Sequence, residues 1–127
     1  MRPVTPERPD PPAFAPYGTA AAGRAVIATA GIAALDPVTM RPVHEDFDVQ
    51  ARWVLDRLDA VLADAGATRH DLLRVECFLA DRSLFGRWNG VFAERFGERP
   101  PARTTLVCGL PVPGLLIEVQ ALATSGP

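Results

Sequence analysis

A chain of 127 residues has room for one domain, and at this length an apolar core closes without help from a disulfide or a metal. Its 13 Lys and Arg against 15 Asp and Glu leave a formal charge of −2, which offers no footprint for nucleic acid or an anionic membrane. No apolar run approaches the ~20 residues that span a bilayer, and the start MRPVTPERPDPPAFAP lacks the apolar stretch of a secretory signal, so a cytoplasmic location is expected.

Pro3, Pro6, Pro9, Pro11 and Pro12 each fix φ and remove a backbone donor, so residues 1–13 read as an extended tail ahead of a single domain over 14–127. Arg24 to Ala30 reads as a strand ending at Gly31, and Asp36-Pro37 as a turn. From Asp46 to Ala65 the apolar residues Phe47, Ala51, Val54, Leu55, Leu58, Val61, Leu62 and Ala65 keep the spacing of one helix face. Gly66 is placed to stop that helix. After a turn at Asp71, Leu73, Val75, Cys77 and Leu79 alternate with Arg74 and Glu76 in a half-buried strand. A second helix follows from Ser83 to Phe96, ended by Pro100-Pro101. Arg103 to Cys108 and Leu115 to Ala123 are the last two strands. The order predicts an α+β fold, two helices packed on one face of a mixed sheet.

The last strand turns Ile117, Val119, Ala121 and Ala123 to one side and Leu116, Glu118, Gln120 and Leu122 to the other. The first side suits the helices. The second carries a carboxylate in a strand built for burial, which is costly unless the charge is paired or used. Arg103 is the nearest candidate partner if the last two strands are neighbours. The pair then reads either as a structural ion pair or solvated sheet face, or as a site where the guanidinium grips a substrate carboxylate and Glu118 positions or deprotonates a water. The uncovered face favours homo-oligomerisation, with pockets between subunits that collect both groups. Cys77 and Cys108 read as buried free thiols, and with His44 and His70 they make no metal-ligand spacing. No metal is expected.

Ala15-Pro16-Tyr17, Ala30-Gly31-Ile32-Ala33, the helix ending Val61 to Ala67, Asn89 with Phe92 and Phe96, Pro101-Ala102-Arg103-Thr104-Thr105 and Ile117-Glu118-Val119-Gln120-Ala121 occur in an order that resembles the Rid/YjgF family of reactive intermediate deaminases, over about residues 14–124. The resemblance implies a chorismate-mutase-like fold assembled as a homotrimer with clefts between subunits. It implies that Arg103 clamps the carboxylate of a 2-imino or 2-enamino acid and that Glu118 orients a water near the imine carbon. Tyr17, Gly31, Thr105 and Asn89 are the substrate-binding residues it implies. The products are ammonia and a 2-keto acid, and no cofactor is required. Deaminase members commonly read Ser-Gly-Gln where this chain has Ala30-Gly31-Ile32, and Gln120 stands where a second glutamate is frequent. The lost polar groups suggest a different or bulkier ligand.

Trp88 and Phe85 read as helix-packing residues, His44 and His70 as surface residues. Arg82, Arg87, Arg95 and Arg99, interspersed with acids, read as a solvated helix face. Two other classes of function stand beside the deaminase. One is a pathway-specific family enzyme, of aminomuconate deamination or secondary-metabolite tailoring. The other is a non-catalytic module binding a small carboxylate, a protein or RNA, with the charge balance against RNA.

Overall fold

The computed structural model describes residues 17–19 and 26–124. The expected proline-rich tail lies outside the described residues. Six strands and two α-helices occur in the order β1 (Tyr17–Thr19), β2 (Val26–Thr29), β3 (Ile32–Ala33), α1 (Phe47–Asp64), β4 (Leu72–Leu79), α2 (Phe85–Phe96), β5 (Ala102–Val107) and β6 (Ile117–Thr124). Short 3-10 turns at Arg69–Asp71 and Arg82–Leu84 lead into β4 and α2. No helix among the described residues is long and apolar enough to cross a membrane.

Local chemistry sets the ends of α1. Asp46 caps its start, the carboxylate accepting from the Val49 N–H at 3.2 Å. Gly66, at φ 82°, takes the left-handed conformation that stops it. The buried residues Phe47, Ala51, Val54, Leu55, Leu58, Val61 and Leu62 form one stripe, which packs on the sheet with Trp88, Val91 and Phe92 of α2. Each fully buried Leu, Ile, Val or Phe contributes roughly 1.5–3 kcal/mol.

The sheet runs β1-β2-β6-β4-β5, with β3 also paired to β6. All pairings are antiparallel except β4 with β5, which is parallel because α2 carries the chain back between them. β5 and β6 are therefore not neighbours, contrary to the arrangement under which Arg103 and Glu118 would face each other. The connection between them straddles the end of β4: the Cys108 N–H donates to Leu79 O on one side, and the Ala80 N–H donates to Leu116 O on the other, both at 3.0 Å.

Gln50 is the buried polar residue of the core. Its amide donates to the carbonyls of His44 at 2.8 Å and Gly114 at 2.9 Å, and its oxygen accepts from the Leu116 N–H at 2.9 Å. One side chain on α1 thus fixes the chain two residues before Glu118. On the outer side, Arg95 meets Asp56 at 2.7 Å and Asp59 at 3.3 Å, and Arg87 meets Asp46 and Asp48. These arginines of α2 bind α1 rather than forming the purely solvated face expected, because the helices pack side by side on one face of the sheet.

Two half-sites on opposite faces of one sheet

Register decides which side chains can meet. Val75 pairs with Arg103 and Cys77 with Thr105 in the parallel ladder, so Arg103 and Thr105 share the helix side with the buried Val75 and Cys77. Phe78 pairs with Glu118 and Glu76 with Gln120 in the antiparallel ladder, which puts Glu118 on the open side. The two groups expected to be catalytic lie on opposite faces, with β4 between their strands.

On the helix side, β5 is the edge strand, and Arg103 escapes burial by lying over aromatic rings of α2. Its guanidinium carbon is 4.8 Å from the centre of Phe92 and 5.8 Å from that of Phe85. Among the described residues no carboxylate pairs with it. Phe85, Asn89 and Phe92 stand one helical turn apart on one stripe of α2, so Asn89 belongs to the same stripe as the two rings. Asn89 Oδ1 and Thr105 Oγ1 are buried and lack any hydrogen-bond partner among the described residues, as does Trp88 Nε1. A guanidinium with no carboxylate partner among the described residues thus shares the edge with polar atoms whose hydrogen bonds are unmet. Phe85 is 46% exposed, too open for the packing role expected of it. Only the alignment of Phe85, Asn89 and Phe92 at helical spacing could have flagged this platform in the sequence.

On the open side, Glu118 is half-buried and has no hydrogen-bond or ionic partner among the described residues. Desolvation alone raises its pKa. Gly31 makes the room: a methyl group there would collide with the Glu118 carboxylate. Ala33 pairs with Glu118 across β3 and β6, and Gln120 donates to Glu76 at 3.3 Å further along the face. Phe78 pairs with Glu118 and Leu106, 52% exposed, pairs with Phe78, so apolar side chains flank the acid on one side; Leu122 (36%) and Val26 (41%) lie further along the same face, which no helix covers.

Tyr17 joins neither group within the protomer. It is buried, and its hydroxyl donates to Asp64 at the end of α1 at 3.1 Å. Burial, with the Asp64 carboxylate beside it, pushes the phenol up to about 12. Cys77 is buried, its thiol also pushed up to about 12 by desolvation. Cys108 is exposed, contrary to expectation, because β5 ends at Val107 on the free edge of the sheet. Arg103, Thr105 and Asn89 therefore form one cluster, Glu118 and Gly31 a second, and Tyr17 stands apart.

The family model described as Endoribonuclease L-PSP matches residues 7–125. The chain is 34% identical over 113 residues to a RutC family protein of Pyrococcus horikoshii, covering 89% of this chain and 90% of that protein. It is 34% identical, again over 113 residues with 89% and 90% covered, to the 3-aminoacrylate deaminase RutC of Acinetobacter baylyi. Among solved structures, the Rid family protein YyfA of Yersinia pestis matches with a TM-score of 0.78 at 26% identity, over 95% of this chain and 93% of that one. A mixed sheet with two helices on one face, and a match along nearly the whole sequence, place this chain in the Rid/YjgF family.

Proposed function

We propose that two protomers complete one site, and that this site hydrolyses a carboxylate-bearing imine or enamine. One protomer supplies Arg103, Thr105 and Asn89 at its sheet edge; its neighbour supplies Glu118 and Gly31 from its open face. A cyclic trimer, each edge meeting the next protomer's open face, satisfies every half-site at once. The observation that carries this reading is a free guanidinium and a free, partly desolvated carboxylate on opposite faces of one sheet. Neither has a partner among the described residues, and each is what the other's substrate complex lacks.

Arg103 binds the substrate carboxylate with two parallel N–H donors, its plane held by Phe92 and Phe85. Glu118, made more basic by desolvation, takes a proton from water as the water oxygen bonds to the imine carbon. The proton passes to nitrogen to give a carbinolamine. Glu118 then carries the carbinolamine's hydroxyl proton to the same nitrogen as the C–N bond breaks, and ammonia leaves a keto acid. Positioning and one base carry the reaction. The deaminase name of the Acinetobacter baylyi relative favours this chemistry. Tyr17, bound to Asp64, acts in this reading only by shaping the wall behind β1. An RNA-cleaving reading is less favoured: the net charge is −2, and Arg87 and Arg95 are already held by carboxylates.

The experiment is ammonia release from freshly generated 2-aminoacrylate and from bulkier 2-imino acids, with and without protein. Acceleration that disappears in Arg103→Ala and in Glu118→Gln is expected. Equal decay with and without the protein across the panel would end the reading.

A further inference from the structure

The helix layer holds a recess of its own, apart from both half-sites. A cavity of about 120 Å³ lies between α1 and α2, lined by Arg52, Arg69, Val91, Glu94 and Arg95. That volume is below the roughly 300–1,000 Å³ of a drug-sized pocket, so it suits a small metabolite. Its floor is fixed. Asp59 holds Arg69 at 2.8 Å and Arg95 at 3.3 Å, Arg95 also meets Asp56 at 2.7 Å, and Arg69 donates to the Arg95 carbonyl at 2.9 Å. The Arg95 side chain is only 16% exposed. The rim is loose: Arg52 and Glu94 pair at 3.1 Å with their side chains 49% and 64% exposed, an ion pair of the kind that adds little to stability.

The charges select the ligand. Three guanidiniums and one carboxylate line the recess, and Asp56 and Asp59, bound to two of those guanidiniums, bring the local balance to neutral. A simple cation meets three guanidiniums. A dianion such as phosphate meets Glu94 and adds two negative charges to a balanced cluster. A zwitterion opens the weak Arg52–Glu94 pair and replaces it on both sides, anion to Arg52 and cation to Glu94, with the balance unchanged. Val91, 5% exposed, offers an apolar wall beside them. We propose that this recess binds a small aliphatic α-amino acid, its carboxylate on the Arg52 and Arg95 guanidiniums, its ammonium on Glu94 and its side chain against Val91. The ion pairs to Arg52 and Asp56 place the recess on the α1 side of α2, whereas Arg103 lies over Phe85 and Phe92, so the site is independent of the deaminase reading.

The test is a titration of the full chain followed by backbone amide NMR, which reads Val91, Glu94 and Arg95 separately from Arg103. L-Valine should shift those three amide signals saturably. Isovalerate lacks the ammonium and isobutylamine lacks the carboxylate; each should bind at least about 10-fold more weakly at these signals, as should inorganic phosphate. Glu94→Gln should erase the preference for L-valine over isovalerate, and Arg52→Ala should weaken L-valine about 10-fold. Both side chains are largely exposed, so neither change threatens the fold. Arg103→Ala should leave these shifts intact, even where it abolishes carboxylate binding at the sheet edge. Unmoved signals, isovalerate or phosphate matching L-valine, a preference that survives Glu94→Gln, or shifts lost in Arg103→Ala would each overturn the proposal.

Discussion

The two faces of the sheet come from the same strands by the same alternation, yet they end in opposite states. On the helix side of β4 and β6, Val75, Leu79, Ile117 and Val119 are 0% exposed, closed off by α1 and α2. On the other side, the neighbours Glu76, Phe78, Glu118 and Gln120 are only half-covered, and Glu118 is desolvated without a partner among the described residues. A finished core tolerates no unpaired acid; a surface awaiting a second protomer can hold one, provided the protomer or a substrate supplies what is missing. The helix side is unfinished only at its rim, where Arg103 overlies Phe92 beyond the reach of the core. Completeness is thus a property of position, and both incomplete places carry the residues the proposed chemistry needs.

The comparison breaks most severely if Arg103 or Glu118 proves idle. Arg103→Ala should cost at least about 100-fold in kcat/KM through lost carboxylate binding, and Glu118→Gln about as much through kcat. Gln50→Leu sharpens the core side: three hydrogen bonds vanish, leaving two carbonyls and an amide unmet, so urea unfolding should show a loss of about 2–4 kcal/mol. Gly31→Ala addresses the open side. The new methyl displaces the end of a flexible Glu118, so activity should fall about 10-fold while stability moves by less than about 0.5 kcal/mol. The smallest effect is on pH dependence. Glu118 must be ionised to act as a base, and desolvation raises its pKa, so the acid limb of kcat should lie above the ordinary glutamate value of 4.5. The sign for stability is opposite: folding favours the protonated acid, so Glu118 is least costly at low pH. Glu118→Gln should therefore be slightly more stable than wild type at neutral pH, an advantage that fades on acidification.

Much of the architecture is legible in the residues. The stripe from Phe47 to Leu62 places α1 to within a residue at each end, since cap, periodicity and Gly66 agree. The alternation of β6 assigns Ile117, Val119, Ala121 and Ala123 to the core correctly. What alternation cannot supply is the order of strands. It states that Glu118 faces away from the helices but not that β4 lies between β5 and β6, so it leaves open whether Arg103 meets Glu118 within one protomer. Arg103 on the helix side defies the rule that charges face water, because its escape is an aromatic stack visible only once α2 is docked. Cys108 is exposed for a related reason: an apolar neighbourhood in sequence says nothing about an edge. The family resemblance points to Asn89, whereas its unmet oxygen emerges only with packing.

Mixing two inactive variants tests the shared site most directly. Arg103→Ala retains Glu118, and Glu118→Gln retains Arg103; co-refolded in equal amounts as random trimers, they should regain about a quarter of wild-type activity, the fraction of interfaces where an intact edge meets an intact open face. Light scattering on the same sample should report an oligomer. A mixture that stays as inactive as its components, or a wild-type chain that remains monomeric while active, would contradict the account.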